Sequence, residues 1–197
     1  MLKRLFRGGS EANEQLTAVV ATILLVLLAA EGATILRIRS LLGVHAFVGM
    51  LLLPVVALKL ASTGWRMFRY YLRGEEYVRR GPPHVAMRVL VAPAIVVSTV
   101  VLLATGVALL ALDQTHGTIV GLHKASFFVW LGAMSLHVLM RGFRLLPILR
   151  RRLAGTGLRL GLVGASLAAG LMLGTLTLPA ADHLQDNVSA SVGIDPR

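Results

Sequence analysis

The chain contains no cysteine. That absence removes disulfides, thiolate-bound haem, cysteine-ligated iron–sulfur clusters and covalent haem attachment through Cys-x-x-Cys-His. Any redox group would have to be held non-covalently, through histidine or similar ligands. Charge is scarce as well: of 197 residues, 15% are charged and 56% hydrophobic, and the mean hydropathy is +0.76. A soluble domain of this size needs far more polar surface, so lipid is the solvent for much of the chain. Acidic residues are the rarest charges, nine against twenty Lys and Arg, for a net charge of +11. The basic residues sit beside apolar runs, a placement that membrane topology explains and nucleic-acid binding does not. No room is left for a separate soluble catalytic domain. Met1 to Arg7 carries three positive charges, but the apolar run begins only near Leu16 and continues for a full span with no small-residue cleavage site. No cleaved leader is expected.

Five apolar segments stand out: Leu16 to Leu36, Leu41 to Gly64, Val89 to Leu112, Thr118 to Met140 and Leu160 to Ala180. Each is long enough to cross a bilayer as a helix, the element that satisfies its own backbone in lipid. The expected fold is all-α, an integral membrane bundle of five helices whose first four form the core. Residues 1–141 make that core, 142–180 a basic loop and the fifth helix, and 181–197 a short polar tail that orders only against a partner. Pro54 and Pro93 fall inside spans and predict kinks. Fifteen of the twenty basic residues, among them Lys3, Arg4, Arg7, Arg79, Arg80, Arg144, Arg150, Arg151 and Arg152, fall on one side of a five-span layout. The positive-inside rule then puts the N-terminus in the cytoplasm and the C-terminus outside. Gly81-Pro82-Pro83 breaks any helix before the third span.

Ionisable residues inside spans are costly, and each is a candidate functional residue. The second span carries His45 and Lys59, the fourth His123, Lys124 and His137, and Glu31 sits near the outer end of the first. His45 and Lys59 are fourteen residues apart, as are His123 and His137. Fourteen residues is just under four turns, so both members of a pair share a face, about 21 Å apart along the axis. The second and fourth spans run in the same direction, which sets His45 level with His123 and Lys59 level with His137. One imidazole from each of two facing helices is what a six-coordinate haem iron requires. Gly49, one turn below His45, leaves room for a flat macrocycle, and Trp130 and Met134 fill the space between two levels. Lys59 is open to a second reading, since a lysine four residues from the span's end also snorkels to the interface. His137 either ligates an inner haem or makes a hydrogen bond. Lys124 is a carboxylate or propionate partner or snorkels, and Glu31 pairs with it or receives protons. His84, His116 and His183 belong to loops or the tail and read as solvated.

The segments Leu42-Gly43-Val44-His45-Ala46-Phe47-Val48-Gly49 and Leu122-His123-Lys124-Ala125-Ser126-Phe127 resemble the haem-bearing helices of bacterial four-helix b-type cytochromes. That group includes cytochrome b561-like proteins and the membrane anchors of hydrogenases, formate dehydrogenases and cytochrome bc complexes. The resemblance covers residues 16 to 141, with the fifth span as an addition. It implies haem b on paired histidines in a bacterial inner membrane, with electrons exchanged between quinone and a partner redox protein or enzyme subunit. His45 and His123 match one pair and His137 half of the other. Lys59 stands where the fourth histidine would be, so one haem is expected and a second is left open. The alternative is a haem-free transporter component or anchor, in which His45, His123 and Glu31 relay protons or hold a metal ion. In the fifth span Gly161, Gly164, Ala165, Ser166, Gly170 and Gly174 allow close helix approach, read as ordinary membrane packing before a partner-specific surface.

Overall fold

The computed structural model describes residues 9–73, 87–142, 147–148 and 156–192. Lys3, Arg4, Arg7, Arg79, Arg80, His84, Arg144, Arg150, Arg151, Arg152, Arg197 and the Gly81-Pro82-Pro83 break lie outside the described residues. Among the described residues six α-helices follow one another: α1 (Gly9–Ile35), α2 (Ile38–Tyr71), α3 (Ala92–Ala111), α4 (Thr118–Arg141), α5 (Thr156–Leu176) and α6 (Leu178–Val192). A single π-helical turn, Met87–Val91, leads into α3. Among the described residues there is no strand. The first five helices are long and apolar enough to cross a membrane, and the molecule is an all-α membrane bundle. The end holding the α1–α2 and α3–α4 turns is called distal below.

The two prolines sit in different settings. Pro93 is in the first turn of α3, directly after the π-helical turn Met87–Val91 that continues into it. Pro54 lies inside α2, yet the residue there that leaves helical geometry is Leu41, with φ −120° and ψ 19°. That break sits at the distal end, so the long α2 begins with one short turn set against the rest. At its other end α2 runs on through Trp65 to Tyr71, largely exposed, beyond what about 30 Å of hydrocarbon needs.

α2 is the hub, packing on α1, α5 and α6 and more lightly on α3, while α4 packs on α3 and the π turn. The molecule is thus two hairpins, α1–α2 and α3–α4. One core joins Val20 and Leu24 of α1 to Leu52 and Val55 of α2 and Val163 of α5. Small residues set the α2–α5 distance. A Cβ on Gly170 would overlap the carbonyl oxygen of Leu51, and one on Gly174 would stand 2.8 Å from the Phe47 ring. The bare backbone of α5 meets the Leu51 backbone at Gly170 and the Phe47 ring at Gly174 with nothing between them, as close-packed membrane helices require.

The stretch expected to be a polar tail is helix α6. Its sequence alternates two faces: Ala181 and Leu184 are buried at 1% and 5% exposure, while Asp182, His183, Asp186 and Asn187 face outward. The buried face packs on Leu110 of α3 and on Leu42, Ala46 and Met50 of α2. Polar contacts follow the same two attachments. Gln185 accepts from Gly43 N at 3.2 Å and donates to Arg39 O. Asn187 Nδ2 donates to Asp113 Oδ2 at 2.7 Å, and His183 Nδ1 lies 3.1 Å from the same oxygen. Gly43 N is an N–H freed by the break at Leu41, so Gln185 caps the resumed helix. The order expected from a partner comes from the chain's own helices, and α6 ties one hairpin to the other.

Gly170→Ala is expected to cost about 1–3 kcal/mol of stability, the usual cost of overpacking, whereas Gly161→Ala, with nothing within 4 Å of the added carbon, is expected to be neutral or stabilising. Thermal unfolding of the two variants in one detergent checks the difference.

Candidate functional site

His45 and His123 come together. Their ring centres are 6.4 Å apart and the ring planes perpendicular. The helices that carry them do not pack closely on each other, so the two rings approach edge-on across the space between the hairpins. Equal depth follows from topology: α2 and α4 run the same way, and each histidine stands about two turns in from the distal turn that precedes it.

Each ring is held from behind by the first helix of its own hairpin. His123 Nδ1 lies 3.1 Å from Leu102 O and 3.0 Å from Thr105 Oγ1 on α3. A carbonyl only accepts, so the nitrogen donates and its hydrogen is on Nδ1. The Thr105 hydroxyl donates to Val101 O at 2.7 Å, which leaves its lone pair for the same N–H. His45 repeats the arrangement. Its Nδ1 lies 2.8 Å from Thr34 Oγ1 and 3.1 Å from Glu31 Oε1 on α1, and Thr34 Oγ1 donates to Glu31 O at 2.6 Å. Both rings therefore carry a hydrogen on Nδ1, and in the neutral ring Nε2 is the nitrogen with the free lone pair. Thr34 and Thr105 are both buried, at 6% and 8% exposure.

Two glycines shape the surroundings. A Cβ on Gly106 would stand 3.2 Å from His123 Cε1, so the bare backbone of α3 is what lets that ring lie flat beside it. The space beside Gly49 belongs to Glu31, whose Oε1 would be 3.5 Å from a Cβ there. Glu31 Oε2 is buried with no hydrogen-bond partner among the described residues. Glu31 pairs with His45, not with Lys124, which is exposed.

Toward the other end, Lys59 is turned to α1, where its Nζ donates to Thr17 O at 2.8 Å. Around it Asn13 Nδ2 donates to Ser62 O at 2.9 Å and Thr17 Oγ1 to Ser62 Oγ at 3.2 Å, a polar seam between α1 and α2. His137 Nδ1 is buried without a hydrogen-bond partner among the described residues. Trp130 is buried and stacks on Phe127 with ring centres 6.5 Å apart. His116 and His183 are exposed at the distal end. Among the described residues no three His, Cys, Asp or Glu side chains group as a metal-ion site.

Sequence reasoning missed Thr34, Thr105, Leu102 and Gly106. A signal for Thr105 existed: it stands about as far before the α3–α4 turn as His123 stands beyond it, and antiparallel neighbours meet at such positions.

Nitrogen-15 histidine spectra of the protein with nothing bound are expected to report Nδ1–H tautomers at His45 and His123. Thr34→Val should weaken that preference at His45 and leave His123 unchanged; Nε2–H tautomers in the unaltered protein would contradict this geometry. Comparison with protein-family models, with curated proteins and with solved structures finds no match to this chain.

Proposed function

We propose that the chain is a membrane-bound b-type cytochrome, with His45 and His123 holding one haem b, and that it passes electrons between the quinone pool and a partner redox protein or enzyme subunit. The observation that carries this reading is the histidine pair, 6.4 Å between ring centres with both Nδ1–H groups bonded behind the rings. Two imidazoles on opposite sides of one iron have centres about 6 Å apart, from about 2 Å of bond and about 1 Å of ring on each side. A neutral imidazole binds metal through the nitrogen without hydrogen, and outward donation by the other nitrogen fixes its orientation. A bare ion needs more donors than the two rings, and no third one groups with them among the described residues. Haem brings four nitrogens of its own and asks the protein for two.

Held by His45 and His123, haem b would supply reversible one-electron transfer. The chain's own residues hold, orient and seal. Thr34, Thr105 and Leu102 fix the rotation of the two rings, Glu31 sets a carboxylate behind His45, and α6 covers the distal end. A single site is proposed because the Lys59 ammonium is bonded to Thr17 O on α1. From the resemblance of the two histidine segments we also propose a bacterial inner membrane, and from the distribution of basic residues the N-terminus in the cytoplasm and the histidine pair toward the outer leaflet. The His45–Glu31 contact at 3.1 Å favours a second, haem-free reading, in which His123, His45 and Glu31 relay protons.

The dithionite-reduced spectrum separates the two. Protein purified from haem-supplied cells is expected to be red, with a b-type spectrum and one haem per chain by pyridine haemochrome. His123→Ala and His45→Ala are expected to insert normally and lose the spectrum, and His137→Ala to keep it. A colourless protein, or an unchanged spectrum in His123→Ala, refutes the cytochrome reading.

A further inference from the structure

At the distal end, on a flank away from the histidine pair, α2 and α6 leave a groove of about 440 Å³ lined by Ser40, Val44, Phe47, Leu178, Asp182 and Gln185. Its polar residues lie at the end of the bundle, Ser40 in the first turns of α2 and Asp182 on α6. Val44 and Phe47 carry the wall about 6–10 Å further toward the middle of the membrane. Val44 and Leu178 are open to the surroundings at 49% and 38% exposure. The groove thus passes from a polar mouth into the apolar zone, the profile of one end of a lipid.

What the mouth offers is acceptors. Both polar ends of Gln185 are already bonded within the chain. Ser40 Oγ donates to Arg37 O at 3.2 Å, which leaves its lone pairs. Asp182 is exposed, and its carboxylate has neither a hydrogen bond nor an ion pair among the described residues. In a chain of net charge +11 it stands apart from the guanidinium groups of Arg37 and Arg39, which are exposed at the same end and equally unpaired there. An unpaired carboxylate at the mouth of the groove and two guanidinium groups exposed at the same end of the bundle complement a zwitterion. An ammonium supplies the three N–H donors that Asp182 and Ser40 lack, and phosphate is the group arginine binds best.

We propose that this groove binds a phospholipid with a primary-ammonium headgroup, the ammonium at Asp182 and Ser40, the phosphate toward Arg37 and Arg39, and the upper part of one acyl chain against Val44, Phe47 and Leu178. A quaternary choline head has no N–H to donate and fits less well. The proposal is independent of haem.

Native mass spectrometry of the full chain, released from micelles containing equal amounts of phosphatidylethanolamine, phosphatidylcholine and phosphatidylglycerol, tests it. Phosphatidylethanolamine is expected to be retained about fivefold over phosphatidylcholine, the ratio that one exposed ammonium–carboxylate pair supports. Asp182→Asn should bring the two to parity with an unchanged thermal transition, and Val44→Trp should lower retention of all three lipids. Equal retention by the unaltered chain, stronger retention of phosphatidylglycerol, or a preference that survives Asp182→Asn overturns the proposal. So does displacement of the lipid by glycerophosphoethanolamine as readily as by phosphatidylethanolamine itself, which would mark a water-facing headgroup site.

Discussion

An N–H group in an apolar interior has no water to turn to, and that constraint organises the centre of this molecule. Each of the two neighbouring histidines directs its Nδ1–H to an acceptor on the preceding helix of its own hairpin. Leaving such a donor unbonded costs on the order of 1–3 kcal/mol, so the bonds behind the rings decide which nitrogen is bare and which way it faces. Everything proposed about haem follows from that choice of nitrogen. The two threonines also return a hydrogen bond to their own helix, so neither half of the site leaves a hydroxyl unsatisfied.

A pair of rings at a defined separation needs helices at a defined separation, and here the packing outside the pair matters. α2 and α4 are kept apart and yet in register by their hairpin partners, while α6 spans from the start of α2 to the end of α3. Its buried alanine and leucine fill the junction between hairpins, and its amide side chains fasten to backbone on one side and to Asp113 on the other. On the far flank of α2, the bare backbone of Gly170 and Gly174 brings α5 close enough to hold that helix in place. The left-handed backbone at Asp113 and Gly117 (φ 52° and 95°) turns the chain from α3 into α4; glycine suits the second of these because a side chain there would be strained.

Much of the architecture was legible in the sequence because lipid imposes a coarse rule: about 20 apolar residues make a span. The five spans follow from it, and helical pitch with span direction was enough to bring His45 and His123 to one level. What was not legible depends on three-dimensional neighbours. The place where α2 leaves helical geometry is Leu41, where no helix-breaking residue announces it. The stretch after Ala180 reads as polar by composition, but its two apolar residues at i and i+3 have a junction to fill, so it folds onto the bundle. Thr34 and Thr105 resemble any other residue of an apolar helix until the facing ring is known. Lys59 shows the limit of spacing as a guide: it stands at the register of a ligand, and its ammonium finds a backbone carbonyl on α1 instead.

The perpendicular ring planes of His45 and His123 give the central claim its most direct test, the low-temperature electron paramagnetic resonance spectrum of the oxidised, haem-loaded protein. Two axial imidazoles crossed at a right angle are expected to give a single low-spin, strongly anisotropic ferric signal. A high-spin signal, meaning one axial ligand or none, would contradict the account.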